Sequence, residues 1–185
     1  MREVEKIVSS RHGSTLIAVD GRSGVGKSTF ALELAQLLTA SVIQGDDFYS
    51  GGVLIRRDTP GERMNACIDW QEQRRVLEAL REGKRAAWRS FDSDRFDGSL
   101  EVGQKFCEPT RFVVLEGVYS ARPELSDLLD FRILLTVPHE LRLKQLFARE
   151  GAIGPWERQW HEAENEYFDK IATSNCFDLV LHRAE

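Results

Sequence analysis

Short runs of apolar residues alternate along this chain with segments whose apolar positions recur every three to four residues, and that alternation predicts strands interleaved with helices. Leu16 to Val19 reads as a strand, Lys27 to about Ala40 as a helix with the stripe Phe30, Leu34, Leu37 and Leu38, and Val42 to Gln44 as a second strand. A long polar stretch follows. Trp70 to Glu82 has helical spacing, turns Val76, Leu77 and Leu80 inward and closes at Gly83. Phe112 to Leu115 and Phe131 to Val137 are strands, Pro138 starts a helix with Leu143, Leu146 and Phe147 on its apolar face, and Pro155 starts another carrying Trp156, Trp160, Ala163, Tyr167 and Ile171. Leu179 to Leu181 is the last strand. Strands apolar on both faces and separated by helices imply an α/β fold with a parallel sheet covered on both sides, and ligands of such sheets bind at the carboxyl ends of the strands.

Composition narrows the partners. A length of 185 residues fits one domain over 1–185, and 25 basic against 30 acidic residues give a net charge of −5. That balance argues against nucleic acid or an anionic membrane surface and for a small molecule. The segment Met1 to Lys6 is charged and lacks the apolar core of a signal peptide, and no apolar run is long enough to span a bilayer, so a cytoplasmic location is expected. Cys67, Cys107 and Cys176 are far apart and lack CxxC spacing, which leaves reduced structural thiols as the reading. Oligomeric state is not legible.

The chemistry concentrates where strands end. Gly21-Arg22-Ser23-Gly24-Val25-Gly26-Lys27-Ser28, followed by Thr29, is a full match to GxxxxGK[ST] between a strand and a helix. Glycines let the backbone fold so that successive N–H groups and a helix N-terminus face a phosphate, Lys27 reaches the terminal phosphates of ATP, and the Ser28 hydroxyl is placed to ligate Mg²⁺. Gln44-Gly45-Asp46-Asp47-Phe48-Tyr49 follows the second strand, and Glu116-Gly117-Val118-Tyr119 follows the third. Phosphoryl transfer to a hydroxyl needs an acceptor for its proton and oxygen groups for magnesium, and Asp46 and Glu116 suit those tasks. Asp46-Asp47 also fits a helix cap, and Glu116 also fits a carboxylate bonded to the loop without touching metal.

Val19-Asp20-Gly21 leading into the phosphate loop, Asp46-Asp47-Phe48-Tyr49 and Leu115-Glu116-Gly117 together resemble the uridine kinase-like branch of P-loop small-molecule kinases, which includes uridine-cytidine, nicotinamide riboside, pantothenate and phosphoribulose kinases. The resemblance covers Leu16 to Leu181. It implies a P-loop fold of the nucleoside-monophosphate-kinase type, a central parallel sheet of order 2-3-1-4-5, a helical lid over about 142–156, and ATP with Mg²⁺ as donor. It further implies Asp46 as general base, Tyr49 beside the acceptor, Glu116 near magnesium, Arg149 on donor phosphates and Arg142 toward the acceptor side. Arginine's planar fork suits phosphate oxygens, although both arginines also fit a solvated helix face.

The chain departs from uridine-cytidine kinases where those carry His-Pro-Asp, reading Cys67-Ile68-Asp69-Trp70 instead, and its lid continues as Gly151 to Trp156 with few bases. Asp69 fits either a ligand of acceptor hydroxyls or a helix cap. Phe91-Asp92 resembles the family's Tyr-Asp pair that lines the nucleoside pocket, with Arg95 nearby. Asp92 to Gly98 lacks the register of a calcium loop, Trp156, Trp160 and Tyr167 read as core packing, and His12, His139, His161 and His182 show no ligand spacing. The reading is an ATP-dependent kinase acting on a hydroxyl of a small metabolite such as a nucleoside or related riboside. The alternative is a nucleotide-dependent switch or regulatory ATPase working through a protein partner, although no guanine-reading Asn/Thr-Lys-x-Asp segment is present.

Overall fold

The computed structural model describes residues 13–183, so the charged segment Met1 to Lys6 and His12 lie outside the described residues. β1 (Thr15–Asp20) is buried along its whole length because it is the central strand of a five-stranded sheet ordered β2-β5-β1-β6-β7. Its neighbours are β5 (Phe112–Glu116) and β6 (Phe131–Thr136), with β2 (Ser41–Gln44) and β7 (Leu179–His182) at the edges. Every pairing is parallel. Counted within this sheet the order is the 2-3-1-4-5 that the resemblance implies. The register sets Val19 opposite Glu116 and Glu116 opposite Gln44, so three strands end at one level and the loops after them begin side by side.

Side chains alternate between two cores, as the period of a strand requires. Leu16, Ile43, Val113 and Leu115 face one, and Ile17, Val19, Val114 and Ile133 the other. Helix α1 (Lys27–Leu38) covers the second core through Phe30, Leu34 and Leu38, with Ala31 and Ala35 fully buried between them. Leu37, expected on that stripe, faces solvent, because the buried side of the helix centres on Ala31 and Ala35, and at about 100° per residue Leu37 lies about 120° and 160° around the axis from them.

The first core is closed by α3 (Trp70–Arg81), which buries Val76, Leu77 and Leu80 as expected, and by α5 (Pro155–Lys170), which buries Trp160, Ala163 and Tyr167. Each of the Val and Leu side chains so withdrawn from water contributes about 1.5–3 kcal/mol, and the single methyl of Ala163 less. The long polar stretch holds α2 (Pro60–Ala66), started by a capping box between Thr59 and Glu62 and packed against α5. α4 (His139–Glu150) buries Leu146, whereas Phe147, expected inward, is half exposed. A short antiparallel pair, β3 (Ala86–Trp88) with β4 (Lys105–Cys107), went unread in the sequence because three-residue strands carry almost no periodicity. Cys67, Cys107 and Cys176 are free thiols, and no helix among the described residues is long and apolar enough to cross a membrane.

Candidate active site

The loop after β1 folds back through Gly24 and Gly26 at φ 83° and 85°, a conformation that side chains resist. Gly26 caps α1 without any side-chain bond, so the first-turn N–H groups of the helix open into a cavity of about 440 Å³. Ser23 to Thr29 line it, which is the arrangement that binds an anion at a helix N-terminus. Lys27 Nζ donates to the Arg22 carbonyl at 3.2 Å and lies at the cavity wall. Two residues of the loop motif do not line this space. Gly21 is pressed against the Leu135 carbonyl, and the Arg22 side chain turns outward to Asn165 and Asp169 and stacks on Phe168.

Ser28 Oγ donates to Glu116 Oε2 at 3.3 Å. Burial raises the carboxyl of Glu116 above the ordinary range, and the neighbouring Asp46 charge adds to this while Lys27 opposes it. A hydroxyl and carboxylates gathered at a phosphate cavity form the hard oxygen donor set that suits Mg²⁺, so Ser28 and Glu116 fit that ion.

The acidic pair after β2 divides its work because Gly45 to Phe48 form a single 3₁₀ turn. Asp47 points inward, accepts from Trp88 Nε1 at 2.9 Å and from Lys105 Nζ at 2.6 Å, and so anchors β3 and β4. Asp46 is exposed in the cleft, and its carboxylate has no hydrogen-bond partner among the described residues. It borders both the phosphate cavity and a second cavity of about 390 Å³, and Ser23, Val118 and Arg149 share that boundary. Arg149 pairs with Glu150 at 2.6 Å.

The second cavity has an aromatic wall. Tyr49 meets Phe91 edge-on at 4.9 Å, Phe91 meets Phe96 at 6.0 Å, Phe96 meets Trp156 at 4.9 Å, Trp156 meets Trp160 at 5.5 Å, and Trp160 returns to Tyr49 at 5.6 Å. Tyr49 and Phe91 are thus brought together here, and Tyr49 Oη donates to the Gly52 carbonyl at 2.6 Å. Trp156 and Trp160 correct the sequence reading: they line the cavity instead of lying wholly in the core, and their indole N–H groups have no partner among the described residues. Trp160 is buried in the core and also lines the cavity, whereas Tyr167 of that stripe does not line it. A helical apolar period is the same whether the face meets a core or a cavity, so spacing carries no signal that separates the two.

Other candidates fall elsewhere. Asp69 is exposed, caps α3 by accepting from the Glu72 N–H at 3.0 Å, and does not line the cavity, so the capping alternative is the one observed. Arg142 donates to the Ser23 carbonyl at 3.4 Å and lines a separate cleft with Arg22, His139 and Phe168, behind the loop and not toward the acceptor side. Asp92 closes a local turn with the Arg95 N–H at 2.9 Å, and Arg95 points to solvent. No motif or spacing singles out Glu164, whose two carboxylate oxygens take the Ser23 N–H at 3.1 Å and the Ser23 hydroxyl. It is one acid among several on α5.

Asp20 organises the whole rim. Wholly buried, it accepts from the N–H groups of Gly21 at 2.8 Å, Tyr119 at 3.2 Å and Ala121 at 2.9 Å, and from Tyr167 Oη at 2.9 Å. One carboxylate thereby fastens the phosphate loop, the loop after β5 and α5 to one another. Burial outweighs these bonds and pushes its pKa up to about 6.

The model of the phosphoribulokinase/uridine kinase family matches residues 16–153. Among curated proteins the chain is similar to inorganic pyrophosphatase TTM2 of Arabidopsis thaliana, 28% identical over 139 residues, covering 74% of this chain and 20% of that one. Inorganic pyrophosphatase TTM1 of the same plant is 26% identical over 139 residues, covering 74% and 21%. The chain therefore spans about a fifth of the length of these curated relatives. A putative fructose transport system kinase from Silicibacter sp. TM1040 is a structural neighbour, with TM-score 0.68, 22% identity, and coverage of 97% of this chain and 96% of that one. A possible uridine kinase from Bacillus stearothermophilus has TM-score 0.68, 17% identity, and coverage of 97% and 99%. For D-glycerate 3-kinase from Cryptococcus neoformans the values are 0.62, 12%, and 98% and 94%. At these identities the likeness establishes the shared fold.

Proposed function

Since the chain belongs to the phosphoribulokinase/uridine kinase family, whose members are small-molecule kinases, we propose that it transfers the γ-phosphoryl group of ATP to a hydroxyl of a small metabolite, a nucleoside or related riboside being the class the family resemblance suggests. The observation that carries this reading is the position of Asp46 on the boundary between the phosphate cavity and the aromatic cavity. A carboxylate there reaches an acceptor hydroxyl on one side while the terminal phosphate arrives from the other.

In this reading the N–H groups of Gly24 to Thr29 and the ammonium of Lys27 hold the donor phosphates, and Lys27 gives up its bond to the Arg22 carbonyl to do so. Asp46 orients the acceptor hydroxyl and takes its proton as the oxygen attacks phosphorus, a contribution of about 10²–10⁴ in rate. Arg149 is placed on the same boundary to balance charge on the transferring group. Its present pair with Glu150 is exposed, so exchanging it for a phosphate oxygen costs little. Ser28 and Glu116 would hold Mg²⁺, which when bound neutralises phosphate charge. The aromatic wall keeps water from competing with the acceptor.

Acceptor dependence tests the proposal. ATP consumption should be slow alone and rise on addition of one member of a panel of nucleosides, ribosides and other hydroxyl compounds. ATP turnover indifferent to every small molecule and stimulated by a protein would replace the kinase reading with a switch.

A further inference from the structure

Arg183 is the first residue past β7, and its N–H donates to the Thr136 carbonyl at 2.9 Å, so the edge of the sheet fixes where its side chain starts. The half-buried side chain lines the phosphate cavity and lies over the loop. Its Nη1 stands 3.5 Å from the point that a Cβ on Gly26 would occupy, the nearest approach to that point from elsewhere in the chain. Gly26 caps α1, so this cation sits at the positive end of a helix dipole, where a cation is disfavoured unless an anion lies between the two. The Arg183 guanidinium makes no ion pair or hydrogen bond among the described residues. The other arginines around the loop are held: Arg22 by Asn165 and Asp169, Arg142 by the Ser23 carbonyl and Arg149 by Glu150. A free guanidinium facing the open N–H groups of a helix is an arrangement that an anion completes, since it is repulsive without one.

The strand order decides which part of that anion Arg183 meets. Asp46 follows β2 at one edge of the sheet, the phosphate loop follows β1 at its centre, and Arg183 follows β7 at the opposite edge. Phosphoryl transfer takes place at the Asp46 end, so the part of the donor that is not transferred extends toward Arg183. Resting on the kinase reading above, we infer that Arg183 is a donor-binding residue that grips the inner phosphates, the ones that ATP and ADP share, from the side opposite Asp46. Its planar fork closes over them while the N–H groups of the loop hold them from below. The division of labour follows: Arg149 acts on the group that moves, and Arg183 on the group that stays.

The test is calorimetric titration of ATP, ADP and inorganic tripolyphosphate, each with Mg²⁺, into the wild type and into Arg183→Ala. All three should bind about fivefold to thirtyfold more weakly to the variant, and the difference should shrink at high salt. Arg183→Lys, which keeps the charge without the fork, should recover part of the loss. The midpoint of thermal unfolding should not move, because the guanidinium has no partner to lose, and Arg95→Ala, which removes an exposed cation outside this cavity, should leave tripolyphosphate binding as it is. In steady-state kinetics the loss in kcat/KM for ATP should fall mostly in KM. Equal affinities in the wild type and Arg183→Ala would overturn the inference. So would weaker ATP and ADP binding with tripolyphosphate unaffected, which would turn the guanidinium toward the base instead. Acceptor-dependent ATP turnover is scored separately. Turnover together with tripolyphosphate binding indifferent to Arg183 overturns the inference and leaves the kinase reading standing, whereas Arg183-dependent binding with no transfer to any acceptor supports the inference and counts against the kinase reading.

Discussion

Gly45 and Gly117 meet backbone to backbone where β2 and β5 end: a Cβ on Gly117 would stand 3.2 Å from Gly45 Cα, and one on Gly45 would stand 2.9 Å from the Glu116 carbonyl oxygen. This contact brings the loop carrying Asp46 against the strand end carrying Glu116. Gly45→Ala should therefore push the two acids apart at a cost of about 1–3 kcal/mol in stability. Because a shift of order 1 Å in a positioned group costs about 10² in rate, kcat should fall by that order while the protein remains folded. Steady-state kinetics beside a thermal melt check both parts.

Arg149→Ala should lower kcat by about 10²–10³ if the guanidinium balances charge on the transferring group. Its pair with Glu150 is exposed, so stability should change by less than about 0.5 kcal/mol. A melt that holds while turnover collapses separates the two roles, and unchanged turnover would remove Arg149 from the site.

Glu164→Ala should loosen the phosphate loop, because Ser23 loses the acceptor for both its N–H and its hydroxyl. The expected cost is about 1–3 kcal/mol, with weaker ATP binding measured by titration and partial recovery in Glu164→Gln, which keeps one acceptor oxygen.

Asp20 makes stability depend on pH in a defined direction. Its folded pKa of about 6 lies above the unfolded value of 3.8, so the folded chain keeps a proton that the unfolded chain has released. The stability from this group is complete below pH 3.8 and is lost as pH rises through about 6, a change of roughly 3 kcal/mol. The unfolding free energy of the wild type relative to Asp20→Asn should fall across that window and level off above it. A flat difference between denaturation curves taken at successive pH values would contradict the assignment.

What could be read in the sequence was local. The phosphate loop is eight contiguous residues with a strand before and a helix after, so its conformation follows from its own glycines and its place in the chain. The acids after β2 and β5 were legible as strand ends, and parallel pairing brought them to one level. Which of Asp46 and Asp47 faces the cleft was set by a 3₁₀ turn and by the later partners Trp88 and Lys105, which no local pattern reveals. The aromatic wall is assembled from residues between Tyr49 and Trp160, and helical spacing cannot tell a face that meets a cavity from one that meets a core. Asp69 shows the same limit: an acid before a helix serves equally as cap or ligand until the Glu72 N–H is found bonded to it.

The central claim is that the Asp46 carboxylate, at the junction of the two cavities, takes the proton of the acceptor hydroxyl. Its most direct test is kcat for acceptor-dependent ATP turnover in Asp46→Asn, measured beside ATP affinity. The account predicts a loss of about 10²–10⁴ in kcat with ATP binding retained. Acceptor-dependent turnover that survives the substitution at the wild-type rate would contradict it.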